Sequence, residues 1–114
     1  MPDRDCPFCK VVTGDAPADV VHEGELVIAF RDINPQAPTH VLVVPRSHHH
    51  SVGALAAAEP EALAELMVTA ERIAHAEGHD SFRLVFNTGA RSGQSVFHVH
   101  GHVLAGRDMT WPPG

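Results

Sequence analysis

Three histidines recur at every second position near the carboxyl end of the chain: His98, His100 and His102. In a β-strand, successive side chains point to opposite faces, so residues two apart share a face. The spacing therefore predicts a strand that presents three imidazoles in a row on one side and small or apolar residues on the other. A helix would scatter the same side chains around its axis.

A row of imidazoles can supply a nucleophile, a general base with an ordinary pKa of about 6.5, or metal ligands. The preceding loop contains Gly89, Gly93 and Ser95, and its backbone N–H groups could cradle an anion. A nucleophile beside a bound anion and hydrogen-bond donors favours attack on a phosphorus atom. A tri-histidine metal site is the alternative, because alternate strand positions can present several ligands to one ion.

Length and composition predict one globular domain over residues 1–114, with 44% hydrophobic and 19% charged residues. The formal net charge of −6 argues against a general nucleic-acid binder, which would carry a basic patch. No apolar run approaches the ~20 residues of a membrane span, and the amino terminus lacks an apolar signal segment. We therefore expect a cytoplasmic protein without nucleic-acid or membrane partners.

The two cysteines of the chain, Cys6 and Cys9, are separated by two residues. Structural disulfides are rare in a reducing compartment, and a redox pair of this spacing would need a strand before it. Metal binding is the better functional interpretation, although the pair supplies only half of a four-ligand site.

Short apolar and β-branched runs predict the strands of a sheet. Val20–Glu23 and Leu26–Phe30 predict a hairpin, and the continuous run Val41–Val44 predicts a central strand. Phe82–Phe86 predicts a further strand before the histidine row. Near the amino terminus, Phe8–Val12 predicts one or two helical turns.

The longest helix is predicted to start at Pro60, a residue that suits the first helical turn, and to stop near Gly78. Its apolar stripe follows a helical period through Leu63, Leu66, Met67, Ala70, Ile73 and Ala74. His75 and His79, near its end, are expected on the surface. One long helix, a short N-terminal helix and about five strands without βαβ alternation predict an α+β domain with a five-stranded, mostly antiparallel sheet.

The stretch His98–Leu104 closely resembles the histidine triad signature, in which histidines alternate with apolar residues. Other segments are similar to family motifs in family order: Cys6–Cys9, Phe30–His40, Pro45–His48, Asn87, Gly93–Ser95 and Trp111–Gly114. The resemblance points to the nucleotide-binding branch of the family, the purine nucleoside phosphoramidases. Gly101 departs from the pattern, because the family usually has an apolar side chain there, and this leaves the local packing open.

The resemblance implies a histidine triad fold and a set of catalytic roles. His100 would be the nucleophile that forms a nucleotidyl-histidine intermediate, and His102 a donor to a phosphate oxygen. His40 would orient the nucleophile, and Ser95 would lie near the phosphate and the leaving group. The implied reaction is hydrolysis of an adenosine 5′-phosphoramidate at its P–N bond. Dinucleoside polyphosphate hydrolysis, or a nucleotide-binding scaffold with incidental catalysis, are the alternatives.

The resemblance also implies how a purine nucleotide is bound. Asp32 would accept the ribose hydroxyls, and Ile33 and Phe8 would wall the base pocket. A carboxylate suits a ribose diol, and apolar walls suit a purine face. The remaining substrate contacts are expected from the phosphate loop and the carboxyl-terminal tail: Asn87, Gly93, Gln94, Ser95, His102 and Trp111.

Two further expectations come from the resemblance. Cys6, Cys9, His48 and His98 match the positions that hold structural zinc in bacterial relatives, and two thiolates with two imidazoles suit tetrahedral zinc. The run of three histidines that starts at His48 leaves the choice of ligand there open. A homodimer is also implied, with two five-stranded sheets joined and the apolar helix at the interface. The residues alone show only that the apolar stripe must be buried somewhere.

Overall fold

The computed structural model of the protein describes residues 5–114. Residues 1–4, on which the expected absence of a signal segment partly rests, lie outside this range. The helices are α1 (Pro7–Thr13), α2 (Val52–Ala58) and α3 (Pro60–Ala76). The strands are β1 (Val20–Glu23), β2 (Val27–Arg31), β3 (Thr39–Pro45), β4 (Arg83–Val85) and β5 (Gly101–Ala105). None of the helices in residues 5–114 has the length and apolar character needed to cross a membrane.

The five strands form one sheet in the order β1-β2-β3-β5-β4, and every pairing is antiparallel. The predicted α+β class, with its five-stranded sheet, long helix and short N-terminal helix, is confirmed. Strand β3 lies at the centre, and all seven of its residues are buried. This explains its continuous apolar run, because a strand that is covered on both faces does not alternate with polar residues.

The sheet is covered by α3 on one face and by α1 on the other. On the α3 side, Leu66 and Ala70 pack with Val41 and Val43 in the main core, which also includes Leu55 of α2. On the opposite side, neighbouring side chains of β2 and β3 form a smaller core with residues of α1: Ile28, Phe30, Leu42, Val44, Phe8, Val11 and Val12. Alternation along β2 and β3 sends successive side chains to these two cores.

Helix α2 is absent from the sequence-based prediction. Its amino terminus is capped by Ser51, whose hydroxyl oxygen accepts a hydrogen bond from the backbone N–H of Ala54 at 3.2 Å. Only Leu55 within it is buried, so seven residues carry no recognisable helical period. Helix α3 begins at Pro60 as predicted, after the single residue Glu59, and packs on the sheet through Leu66, Ala70, Ile73 and Ala74 of the predicted stripe, whereas Met67 is 47% exposed.

The prediction of one strand through all three histidines is wrong in its extent, because β5 begins only at Gly101. The last ladder pair joins Gly101 to Val43 of β3. Before that point the chain leaves the sheet, and the N–H of Val99 bonds instead to the carbonyl oxygen of His49, at 2.8 Å. His98 and His100 therefore lie before the strand, and the three rings do not share one strand face.

The unusual glycine of the histidine stretch is explained by its neighbours. A Cβ atom on Gly101 would lie 3.0 Å from Cδ1 of Leu84 and 3.1 Å from Cζ of Phe86. These two side chains fill the volume that an apolar residue would otherwise occupy. The local packing that the sequence leaves open at Gly101 is therefore provided by Leu84 and Phe86.

Candidate active site and metal cluster

A cavity of about 760 Å³ lies on the α1 side of the sheet. Its apolar wall includes Phe8, Phe30 and Leu42, and the exposed side chain of Ile33 stands at its rim. Its polar wall includes Asp32, Ser95, His100 and His102, and the charged residues Lys10, Asp19 and Arg31 also line the cavity. One region of the cavity wall is therefore apolar, and another carries a carboxylate, a hydroxyl and two imidazoles.

The ring of His100 is held in one tautomer by a backbone carbonyl. Its Nδ1 lies 2.8 Å from the carbonyl oxygen of His98, which can only accept, so Nδ1 carries the proton and donates. The lone pair is then on Nε2. His100 is 8% exposed and lines the cavity, and burial lowers its pKa below the ordinary histidine value. A neutral imidazole with a free nitrogen lone pair is a competent nucleophile near pH 7.

His102 is held in the opposite tautomer. The backbone N–H of Gln36 donates to Nδ1 of His40 at 3.0 Å, so the proton of neutral His40 is on Nε2. That atom lies 2.9 Å from Nδ1 of His102, which must accept and leaves the proton of His102 on Nε2. Within residues 5–114, this Nε2 is buried and has no hydrogen-bond partner. Burial and the neighbouring imidazoles lower the pKa of His102 to about 4, so the ring is a neutral donor.

The expected contact between His40 and the nucleophile is not what the structure shows. His40 bonds to His102, and its Nε2 also lies 3.4 Å from a carboxylate oxygen of Asp32. His100 takes its orientation from the backbone of His98 instead. His40 is therefore placed to fix the tautomer of His102.

Asp32, His40 and His102 also place three ligand atoms within 4.8 Å of one another, which raises the question of a metal. To bind an ion through Nε2, neutral His40 would have to carry its proton on Nδ1. That proton would face the N–H of Gln36, 3.0 Å away. The backbone contact therefore disfavours a metal at this cluster.

Of the residues predicted to bind substrate, the structure brings some to the cavity and places others elsewhere. The cavity wall contains Phe8, Asp32, Ile33, Ser95 and His102. The other four do not line it within the described residues: Asn87, Gly93, Gln94 and Trp111. Gln94 is buried, and its amide bonds to the N–H of Gly89 and to the carbonyl oxygen of His50. Its side chain braces the loop that contains Gly89, and contact between Gln94 and a substrate stays a prediction.

Phe30 and Leu42 line the cavity, although the sequence did not predict them as substrate-binding residues. Phe30 is paired with Leu42, and Leu42 with His102, so the three side chains form a row across β2, β3 and β5. Asp32 follows Phe30 by two residues, and His40 precedes Leu42 by two residues. Knowledge of the strand register would have found the two residues, because positions two apart share a face.

The expected metal ligands form a tight cluster beside the cavity. Nδ1 of His98 lies 3.4 Å from the sulfur atoms of both Cys6 and Cys9, and Nδ1 of His48 lies 3.3 Å from Cys9. Tetrahedral zinc, with Zn–S of about 2.3 Å and Zn–N of about 2.0 Å, would separate sulfur from nitrogen by about 3.5 Å. The donor set and its spacing therefore fit a zinc ion.

The tautomers and neighbours of the cluster support the same fit. Nε2 of His98 donates to the carbonyl oxygen of Pro45 at 2.8 Å, which leaves the Nδ1 lone pair facing the sulfur atoms. Burial lowers the pKa of His98 to about 4, so its ring is neutral. Of the three consecutive histidines, only His48 joins the cluster: His49 bonds to Glu59 at 2.5 Å, and the ring of His50 stacks near Phe97.

A model of the HIT domain matches residues 13–109. The chain belongs to the HIT domain family.

Relatives and solved structures similar to this HIT protein support the same family assignment. A 14 kDa zinc-binding protein of Zea mays is 46% identical over 94% of this chain and 86% of its own length. The purine nucleoside phosphoramidase of Escherichia coli (strain K12) is 41% identical over 90% of this chain and 87% of its own. The crystal structure of a HIT family hydrolase from Legionella pneumophila Philadelphia 1 has a TM-score of 0.92 at 46% identity, covering 96% of this chain and 100% of that one. The predicted family and fold are confirmed, and hydrolytic chemistry is supported at the level of the family.

One ionic network of this HIT protein joins Glu77, the residue that follows α3, to Arg31 of β2 and Thr39 of β3. Arg31 forms two hydrogen bonds to Glu77, at 3.0 and 2.7 Å, and the hydroxyl of Thr39 donates to the same carboxylate at 3.1 Å. Arg31 immediately precedes Asp32, and Thr39 immediately precedes His40. His79, expected on the surface, is half-buried and lies 2.9 Å from the Thr39 hydroxyl. Glu77 thus ties together the strand ends that hold Asp32 and His40.

Replacing the central carboxylate of this network should change the pH dependence of stability. Hydrogen bonds from Arg31 hold the pKa of Glu77 below its ordinary value. Its stabilising effect is therefore complete above the unfolded-state pKa of 4.5 and is lost as the pH falls through the lower folded-state pKa. Glu77→Gln should cost roughly 0.5–1 kcal/mol at pH 7, because the pair is partly exposed, and should flatten the acid decline of unfolding free energy.

Urea denaturation between acid and neutral pH measures this effect. Glu25→Gln, at an exposed glutamate of the β1–β2 turn, is the matched control and should keep the wild-type profile. Equal pH profiles for Glu77→Gln and the wild type would contradict the assignment.

Proposed function

We propose that this HIT protein hydrolyses nucleotidyl compounds at the α-phosphorus, and that its substrates are adenosine 5′-phosphoramidates cleaved at the P–N bond. The observation that carries the proposal is the pair of opposite tautomers in one cavity. His100 offers a free Nε2 lone pair, and His102 offers a buried, unpartnered Nε2–H. The Escherichia coli relative, named as a purine nucleoside phosphoramidase, supports the substrate class.

The cavity has the size and chemistry that a nucleoside monophosphate unit requires. Its volume of about 760 Å³ falls in the range of small-molecule sites. Phe8, Phe30 and Leu42 provide apolar surface for a purine, and the carboxylate of Asp32 can accept from ribose hydroxyls. The phosphate group would then lie against Ser95, His100 and His102. The net charge of −6 is consistent with a small-molecule site and does not favour a nucleic-acid ligand.

The reaction proceeds in two displacements on phosphorus. Nε2 of His100 forms an N–P bond while the substrate P–N bond breaks, and the departing nitrogen keeps the electron pair and takes up a proton. His102 donates its Nε2–H to a phosphate oxygen as charge develops there. Water then attacks phosphorus, the bond to His100 breaks, and the imidazole returns to its neutral form. Over the cycle, one water supplies the hydroxyl on phosphorus and one proton to the released amine.

We also propose that Cys6, Cys9, His48 and His98 hold a structural zinc ion. Four protein ligands complete a tetrahedral shell, so the ion would stabilise the fold and leave no position for substrate. Burial raises the pKa of the Cys6 thiol, and a divalent cation would offset this by stabilising the thiolate. The cytoplasm is the proposed location, since a reducing compartment keeps both sulfur atoms available to the metal.

A homodimer is the third part of the proposal. Met67 and Val68 of α3 are 47% and 48% exposed, which is unusual for neighbouring large apolar side chains on a core helix. They line a surface depression together with Phe82 and Leu84, beside the edge strand β4. An apolar helix face that continues into a free sheet edge suits a second copy of the chain, which would cover both.

Removing the proposed nucleophile tests the reaction. His100→Ala should lower turnover by several orders of magnitude and retain nucleotide binding, because the apolar walls and Asp32 remain. His102→Ala should cost less, roughly 3–4 kcal/mol of transition-state stabilisation, since one donor is lost. Rapid-quench mass spectrometry of the wild type should find the nucleotidyl adduct on His100. The exposed His75 supplies the control variant, His75→Ala, which should turn over normally. An adduct on another residue, or normal turnover by His100→Ala, would overturn the mechanism.

Metal analysis tests the zinc site. Protein purified without chelator should contain one zinc per chain, and His48→Ala and Cys9→Ala should lose it with a lower melting temperature. His50→Ala serves as the control, since its ring lies outside the cluster, and it should retain the metal. A metal-free wild type would exclude the zinc proposal.

Sedimentation velocity tests the dimer. Val68→Asp places a charge in the apolar patch and should convert a dimer into a monomer at micromolar concentration. Val20→Asp is the matched control, because Val20 is 40% exposed on β1, at the opposite edge of the sheet. A wild type that sediments as a monomer argues against the interface.

A further inference from the structure

The proton position of His102 depends on one backbone N–H group. Gln36 donates that N–H to Nδ1 of His40 at 3.0 Å, and Nε2 of His40 lies 2.9 Å from Nδ1 of His102. If the N–H of Gln36 moved away, Nδ1 of His40 could take up the proton, and Nε2 of His40 would then accept from His102. The proton of His102 would move to Nδ1, and its Nε2 could no longer donate. The placement of Gln36 therefore decides whether His102 is a donor.

Gln36 lies on the surface, in the loop of residues 32–38 that joins β2 to β3. The loop is shaped by bonds among its own residues. The side-chain nitrogen of Gln36 donates to the carbonyl oxygen of Asn34 at 3.0 Å, and the N–H of Asn34 donates to Oδ1 of Asp32 at 2.8 Å. Such internal bonds give the loop its form, but they do not fix its position relative to β5, the strand that carries His102.

Arg107, two residues beyond the end of β5, makes that connection. Its Nε donates to the carbonyl oxygen of Gln36 at 2.8 Å, and its Nη1 donates to the carbonyl oxygen of Asp108 at 3.2 Å. A charged donor forms a stronger hydrogen bond than a neutral one, and a planar guanidinium directs its N–H groups along fixed lines. The side chain of Arg107 therefore holds the backbone of Gln36 in one orientation relative to β5.

The preceding residue, Gly106, shows by a separate contact that this segment is fitted to the loop. Its φ is +96°, and a Cβ atom on it would lie 2.9 Å from Cβ of Pro38. Both the positive φ and the close approach require glycine at this position. The chain after β5 therefore packs directly against the loop of residues 32–38, which brings Arg107 within reach of Gln36.

We propose that Arg107 is a positioning residue of the reaction, which keeps His102 in its donor tautomer through Gln36 and His40. The inference rests on the proposed role of His102 as the donor to a phosphate oxygen. The chain of contacts begins and ends on one strand, because β5 carries His102 and leads directly to Arg107. Within residues 5–114, the cavity wall does not include Arg107, so its effect passes through the loop and involves no contact with substrate.

The ring nitrogens of His102 report the effect directly. In protein labelled with ¹⁵N-histidine, a long-range ¹H–¹⁵N spectrum shows which ring nitrogen carries the proton, and the His102 signals are identified by their absence from His102→Ala. The wild type should show the Nε2–H tautomer. Arg107→Met keeps a long unbranched side chain but has no donor, and it should show a mixture with the Nδ1–H tautomer. A pure Nε2–H signal in Arg107→Met, or an Nδ1–H signal in the wild type, would overturn the inference.

Steady-state kinetics with an adenosine 5′-phosphoramidate separate positioning from general damage. Arg107→Met should lower kcat about fivefold, the effect of losing one hydrogen bond, and should leave KM unchanged because the cavity wall is intact. Arg107→Lys can still donate a charged N–H to the carbonyl oxygen of Gln36 and should recover part of the loss.

Arg46→Met is the matched control, because Arg46 makes the same kind of bond at the opposite end of β3. Its Nε donates to the carbonyl oxygen of Gly24 at 3.0 Å. This variant should keep both the wild-type kcat and the wild-type ring signals of His102. Equal losses of kcat in Arg46→Met and Arg107→Met, or a loss in Arg107→Met that appears only in KM, would contradict a positioning role.

The two readouts distinguish failure of the inference from failure of the proposed function. A wild type that cleaves no phosphoramidate refutes the proposed function and, with it, any role of Arg107 in the reaction. An active wild type whose kcat and His102 tautomer are both unchanged in Arg107→Met refutes the inference alone.

Discussion

The arrangement of the site depends on one fully buried residue, His98. Its ring faces Cys6 and Cys9 through Nδ1 and is fixed by the carbonyl oxygen of Pro45, while its own carbonyl oxygen accepts from Nδ1 of His100. The ring and the carbonyl group of His98 belong to one residue, so neither can move without the other. The candidate metal cluster and the tautomer of His100 are therefore parts of one structure, and a displacement of His98 would free the ring of His100 to adopt either tautomer.

The two histidines that face the cavity gain different roles from backbone groups that lie far apart in the sequence. A carbonyl oxygen puts the proton of His100 on Nδ1, whereas the N–H of Gln36, acting through His40, puts the proton of His102 on Nε2. Burial lowers the pKa of both rings, so each is neutral. Two chemically identical side chains thus present a nitrogen lone pair and an N–H group to the cavity without any change of charge.

Local patterns in the sequence predicted the sheet, the long helix and the cysteine pair, and the family resemblance added His48 and His98 to that pair. They failed where one distant hydrogen bond decides the structure. The N–H of Val99 bonds to the loop of His49 and takes the chain out of the ladder, although its alternating pattern continues unbroken. The partner of His40 and the loop-bracing role of Gln94 depend equally on contacts across 62 and 44 residues. Such contacts depend on how distant strands and loops are aligned in space, and the periodicity of one segment carries no information about that alignment.

The geometry separates the metal cluster from the chemical step. A tetrahedral ion held by two thiolates and two imidazoles has no open position, so it could not polarise a phosphate or activate water. Its influence could reach the cavity only through His98, by fixing the carbonyl oxygen that orients His100. The proposed reaction would require no metal-activated nucleophile, because a neutral imidazole already carries its lone pair. The ion would therefore act on the rate only by holding the nucleophile in the correct tautomer.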